Sequence, residues 1–192
     1  MTWFEALTGC REESPEGVRS SLYVRDTRLH SQVNGRSWQC GALEISTLRH
    51  LRERALSSTG VAGRLSLRQV VADVRDLHSD GANADALFQV ASQFNLLEMV
   101  SPRVSPELGV GIYERDRTQG PACAIAAGAG TIFRNYFVDL NGQIGQSADR
   151  QINCLSGIGR LLGNDKGSLW VMQNGYALPS QEGLSTVNSR LC

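Results

Sequence analysis

Ala86-Leu-Phe-Gln-Val-Ala-Ser92, running on into Gln93-Phe-Asn95-Leu-Leu-Glu98, is the stretch on which the fold turns. A short apolar run bounded on one side by Asp, Asn and Gly suits a buried central strand. Its exit is unusual, because Gln89, Ser92, Gln93, Asn95 and Glu98 cluster where turn residues are expected. Buried amides cost free energy unless hydrogen-bonded, so such a cluster is either locked into the fold or reserved for a ligand. In open α/β sheets ligands bind just beyond the carboxyl ends of strands, which is where this cluster would lie.

Upstream, residues 65–77 alternate and are rich in Val, which predicts a strand ending near Asp73 or Asp76. Further back, Leu22-Tyr-Val and Trp38-Gln-Cys-Gly-Ala-Leu-Glu-Ile flank Asn34-Gly35, a tight-turn signal, and predict a hairpin. Ser46 or Thr47 then caps a helix carrying Leu48, Leu51, Arg52 and Ala55. Downstream, residues 101–111 hold two prolines and two glycines and are expected to be loop. Pro121 fits the first turn of a helix of small residues reaching Gly130. A strand over 131–138, a glycine turn over 141–146, a helix over 147–162, a strand over 168–172 and a last helix over 180–191 complete the reading. Strands alternating with helices predict an α/β domain, its sheet covered on both faces. Residues 1–60 are expected as a hairpin-and-helix extension packed on a main domain of residues 61–192.

Composition narrows the function classes. The 192 residues carry 41% hydrophobic residues, and no run approaches the ~20 that a membrane span requires. The N-terminal segment has no basic and apolar leader pattern, and Cys192 lacks a prenylation arrangement, so a cytoplasmic location is expected. Five cysteines without a CxxC, and three scattered histidines, predict neither a disulfide framework nor a metal site. The formal net charge is zero, so no general nucleic-acid affinity is expected. Of 19 basic residues only Lys166 is not Arg. The guanidinium fork suits phosphate and carboxylate, while Arg-favouring codon usage gives the same count.

Arg117-Thr118-Gln119-Gly120-Pro-Ala122-Cys123-Ala124-Ile-Ala-Ala-Gly-Ala-Gly130 is the second informative segment. A glycine turn entering a helix of small residues leaves backbone N–H groups free for a phosphate or diphosphate; equally, small residues pack tightly on a sheet. With Val71-Ala-Asp73-Val74 and Gln89-Val-Ala-Ser-Gln-Phe-Asn95 before it, Cys123-Ala-Ile-Ala-Ala-Gly-Ala-Gly130 resembles the macrodomain family of ADP-ribose-binding proteins over about a third of the chain. That resemblance implies a three-layer α/β/α sandwich with a mixed sheet and no cofactor. It implies that Asp73, with Val74, contacts the adenine and that Asn95 holds the distal ribose. It also implies that the N–H groups of residues 120–124, including Ala122 and Ala124, cradle the diphosphate, with Gly142 to Gln146 as a second phosphate loop. Thr118-Gln119-Gly120-Pro replaces the family's three glycines, and the loop over 96–119 is long.

Three chemistries fit these residues. An ADP-ribosyl hydrolase would use Glu98 or Asp116 against the charge that develops on ribose, with Asn95 and Gln93 orienting water. A reader would bind ADP-ribose or a related nucleotide without turnover. A cysteine-dependent hydrolase would use Cys123 as nucleophile and His78 as its base. Tyr136 and Tyr176, read as lying at strand ends, could stack on an adenine or cover the core.

Overall fold

Three hairpins share one turn chemistry. The computed structural model describes residues 1–58, 60, 63, 64, 66–88 and 93–191, and in it Asp26-Thr27, Asn141-Gly142 and Asn174-Gly175 all take positive φ in consecutive pairs. That geometry matches the right-handed twist of flanking antiparallel strands. The first turn joins β1 (Leu22–Arg25) to β2 (Arg28–Ser31), and β3 (Ser37–Gln39) adds on the other side of β2. The second joins β4 (Asp139–Leu140) to β5 (Gln143–Ile144), and the third joins β6 (Trp170–Gln173) to β7 (Tyr176–Pro179). The described chain is mixed α/β, and its strands form three small antiparallel sheets.

Helices are set by their caps. Thr2 and Glu5 form a capping box on α1 (Trp3–Thr8), Ser14 caps α2 (Pro15–Ser21), and Thr47 caps α3 (Leu48–Ser57) as its sequence signals. Asp73 caps α4 (Val74–Ser79) by accepting from the Arg75 N–H at 2.8 Å. The strand expected over 65–77 is therefore corrected: the described residues 66–73 have no regular structure, and α4 follows. Among the described residues no strand pairs with the alternating valines, and Val71 is fully exposed.

The strand expected over 131–138 is corrected as well. α5 (Gln119–Ala127) breaks at Gly128, whose φ of 44° and ψ of −94° stop the helix, and α6 (Ala129–Tyr136) begins at once. Thr131, Ile132, Asn135 and Tyr136 are the buried side chains, spaced to form one helical face despite their strand-favouring composition. Burial of that face outweighs β-propensity. The helix expected over 147–162 shortens to α7 (Ser156–Leu162), because Ser147, Gln151 and Asn153 spend their side chains on turns and tertiary bonds. The strand expected from Trp38 ends at Gln39, and Asn34-Gly35 lies in the β2–β3 connection instead of a two-residue turn. Of the run 86–92, residues 86–88 are irregular and 89–92 lie outside the described residues. The closing helix, α8 (Gln181–Leu191), stands where the sequence puts it.

One core spans the chain. Phe4, Val18, Leu22 and Leu29 pack in the same cluster as Leu97, Met99, Val110, Tyr113, Ile132 and Tyr136. Each fully buried aliphatic or aromatic side chain of this kind stabilises by roughly 1.5–3 kcal/mol. Residues on both sides of position 60 thus build it. A carboxylate fastens it: Glu12 accepts from the N–H groups of Val110 at 2.8 Å and Gly111 at 2.6 Å, and from the Tyr136 hydroxyl at 2.8 Å. These three donors keep a desolvated acid in place although burial raises its pKa. They also fix the start of the 3-10 segment 111–115, which carries Tyr113.

Candidate functional site

α4 lies against α5, and α5 against the 3-10 segment. This packing sets His78, in the last turn of α4, with its Nε2 3.3 Å from the Cys123 sulfur on α5. His78 also stacks on Phe88, ring centroids 3.7 Å apart. Beside the pair is a cavity of about 360 Å³ lined by Leu43, Phe88, Leu96, Glu98, Cys123, Ala124, Ala127 and Arg134.

Glu98 is 5% exposed, and its backbone N–H donates to the Tyr113 hydroxyl at 3.0 Å. Burial lifts its carboxyl to about 7, the Arg134 charge pulls it down by less, and the Asp116 charge pushes it further up. Asp116 is held below the usual carboxylate range by hydrogen bonds from Thr118, whose N–H lies 2.8 Å from its Oδ1. Near neutrality one of these coupled carboxyls is largely ionised and the other about half protonated. Burial, and then Glu98, raise the Cys123 thiol, so the resting sulfur is protonated. Cys123 is the fifth residue of α5, and a helix end favours a thiolate only within its first turn.

Several of the residues singled out in the sequence meet here. Tyr176 feels both Glu98 and Asp116, donates to the Met99 carbonyl at 2.6 Å, and accepts from Gln93 Nε2 at 3.2 Å. The buried Gln93 Oε1 has no hydrogen-bond partner among the described residues.

Others do not. Asn95 is fully buried, with its amide donating to Gln151 at 2.9 Å and its Oδ1 accepting from the Leu97 N–H at 3.0 Å. Gln151 continues to Asn174, and Gln146 donates to the Asn95 carbonyl, so this amide cluster ties loops together. Tyr136 is not at a strand end: it is 1% exposed on α6, and its hydroxyl is spent on Glu12. Gly142 sits in the exposed β4–β5 turn. Asp73 and Val74 open α4, with Asp73 exposed and engaged as a cap. Thr118 and Gln119 are exposed at the start of α5, whereas Gly120 and Ala122 are buried in it, the Ala122 N–H already donating to the Thr118 carbonyl.

Arg134 is the site residue that sequence reading missed. A cation inside Thr131-Ile-Phe-Arg-Asn-Tyr136, an otherwise core-forming run, was the available signal. Among the described residues no group of three or more His, Cys, Asp or Glu is placed to hold a metal, and no helix is long and apolar enough to cross a membrane. No protein-family model matches the chain, and neither a curated protein nor a solved structure does.

Proposed function

We propose that this chain cleaves a glycosidic bond to ADP-ribose in the cavity beside Glu98, with Glu98 as proton donor. What supports this is Glu98, buried in the cavity wall with its carboxyl raised to about 7, together with Asp116, whose charge acts on it and which is held low. Opposed shifts of this kind assign an acid and a charge-stabilising partner. Protonated Glu98 gives its proton to the leaving atom as the C1″ bond breaks. The Asp116 carboxylate offsets the positive charge developing on the ribose, and water adds at C1″ with its proton passing to the Glu98 carboxylate. ADP-ribose as the glycosyl group is supported by the macrodomain-like segment alone, and the sandwich of that family and a cytoplasmic location belong to the same proposal.

The test is release of ADP-ribose from an ADP-ribosylated peptide. Glu98→Gln is expected to lower kcat about 100-fold or more, and wild-type activity is expected to fall as pH rises through about 7. Binding of ADP-ribose with no release by the wild type would make the chain a reader. The 3.3 Å contact between His78 and Cys123 favours a second chemistry, attack by the Cys123 sulfur with His78 taking its proton. Full activity in Cys123→Ser removes that reading.

A further inference from the structure

Arg134 is half-buried, and burial works against its charge. Its Nε donates to the Leu96 carbonyl at 3.1 Å and its Nη2 to the Thr131 hydroxyl at 3.0 Å, both neutral acceptors. None of the ion pairs among the described residues includes it. Its Nη1, with two N–H groups, has no hydrogen-bond partner among those residues. A partly desolvated cation without an ion pair gains from a bound counter-ion. The carboxyl whose charge acts on it, Glu98, makes no ion pair with it among the described residues and is driven toward neutrality by its own burial.

The rest of the cavity wall is mostly apolar: Leu43, Phe88, Leu96, Ala124 and Ala127. The two anchored nitrogens fix the plane of the guanidinium, and Arg134 lines this space. A fork held in this way matches two oxygens of one carboxylate or phosphate.

We propose that Arg134 is an oxyanion-binding site, and that its ligand carries a carboxylate or phosphate on an apolar or planar body lying against Phe88 and Leu96. The assignment does not require glycosidic cleavage. It gives the anionic part of any ligand a side-chain anchor, in place of the backbone amides of α5.

The experiment is calorimetric titration of the full chain at pH 8.0 with phenyl phosphate, benzoate, inorganic phosphate and neutral benzyl alcohol. Phenyl phosphate or benzoate is expected to bind at least tenfold tighter than benzyl alcohol, and the tighter of the two identifies the anion. Weaker binding of inorganic phosphate than of phenyl phosphate is expected from the apolar wall. Arg134→Lys, which keeps charge but loses the fork, should weaken the better anion tenfold or more. Glu98→Gln removes a facing negative charge and should tighten it about fivefold, a result available even if Arg134→Lys does not fold. Equal affinity for benzyl alcohol, or no change in both variants, overturns the assignment. Anion binding without ADP-ribose release would sink the glycosidase reading and leave this one standing.

Discussion

The stretch from 93 to 138 and the stretch from 41 to 88 are built on opposite terms. The first supplies Leu97, Met99, Val110, Tyr113, Ile132 and Tyr136 to a core completed by the first two helices and the first sheet. The second, among its described residues, contains no buried side chain. Leu48, Leu56, Leu67, Val71 and Leu87 are all exposed there, three of them by 87% or more besides the fully exposed Val71. Local signals, the caps Thr47 and Asp73, start its helices, and only α4 of the two is packed against α5. Only around Leu43, His78 and Phe88 does it reach the cavity wall. Tertiary burial therefore specifies one stretch and short-range capping the other, and the cavity lies where they meet.

Substitutions can break or sharpen this contrast, and the largest effect is expected at Glu12. Glu12→Ala strands two backbone N–H groups and a buried tyrosine hydroxyl, which should cost about 3–4 kcal/mol in denaturant unfolding. A loss below 1 kcal/mol would mean that the core does not depend on this clamp. Next is Gly175, at φ 81°, where an added Cβ would run into the Asn95 amide. Gly175→Ala should destabilise by roughly 2–3 kcal/mol, measured the same way.

Glu98→Gln should act with the opposite sign. Below the ordinary value of 4.5 the carboxyl is neutral both folded and unfolded. Between 4.5 and about 7 the folded chain holds the extra proton, so wild-type stability falls as pH rises, and above about 7 the whole penalty stands. The variant should therefore match wild type near pH 4 and exceed it by roughly 3 kcal/mol at pH 8, about 6–12 °C in Tm. A difference that does not vary with pH would contradict the raised carboxyl. Smallest of all, Val71→Ser in the exposed stretch should change stability by less than about 0.5 kcal/mol.

What the sequence revealed follows the same division. Caps and apolar runs announce themselves locally, so α3, β6 and α8 were legible from Thr47, the run 168–172 and the closing run. The turn at Asp26-Thr27 was not, because Thr rarely takes a φ of 61° and Asn34-Gly35 nearby carried the stronger signal. Thr131 to Tyr136 misled because its composition favours a strand while its spacing of buried positions is helical. At the site, Glu98, Asp116 and the Cys123–His78 pairing could be named in advance from residue type. Which amides serve the fold, as Asn95 does, and which cation makes no ion pair among the described residues, as with Arg134, depend on contacts far along the chain.

The stop at Gly128 has a consequence for reach. On one unbroken helix Cys123 and Arg134, eleven positions apart, would face the same way but stand about 16 Å from each other along the axis. A single small molecule in a space of about 360 Å³ could not touch both. By ending α5 and restarting the chain in a new direction, Gly128 turns separation along a rod into opposition across a gap, and a thiol and a guanidinium come within the span of one ligand.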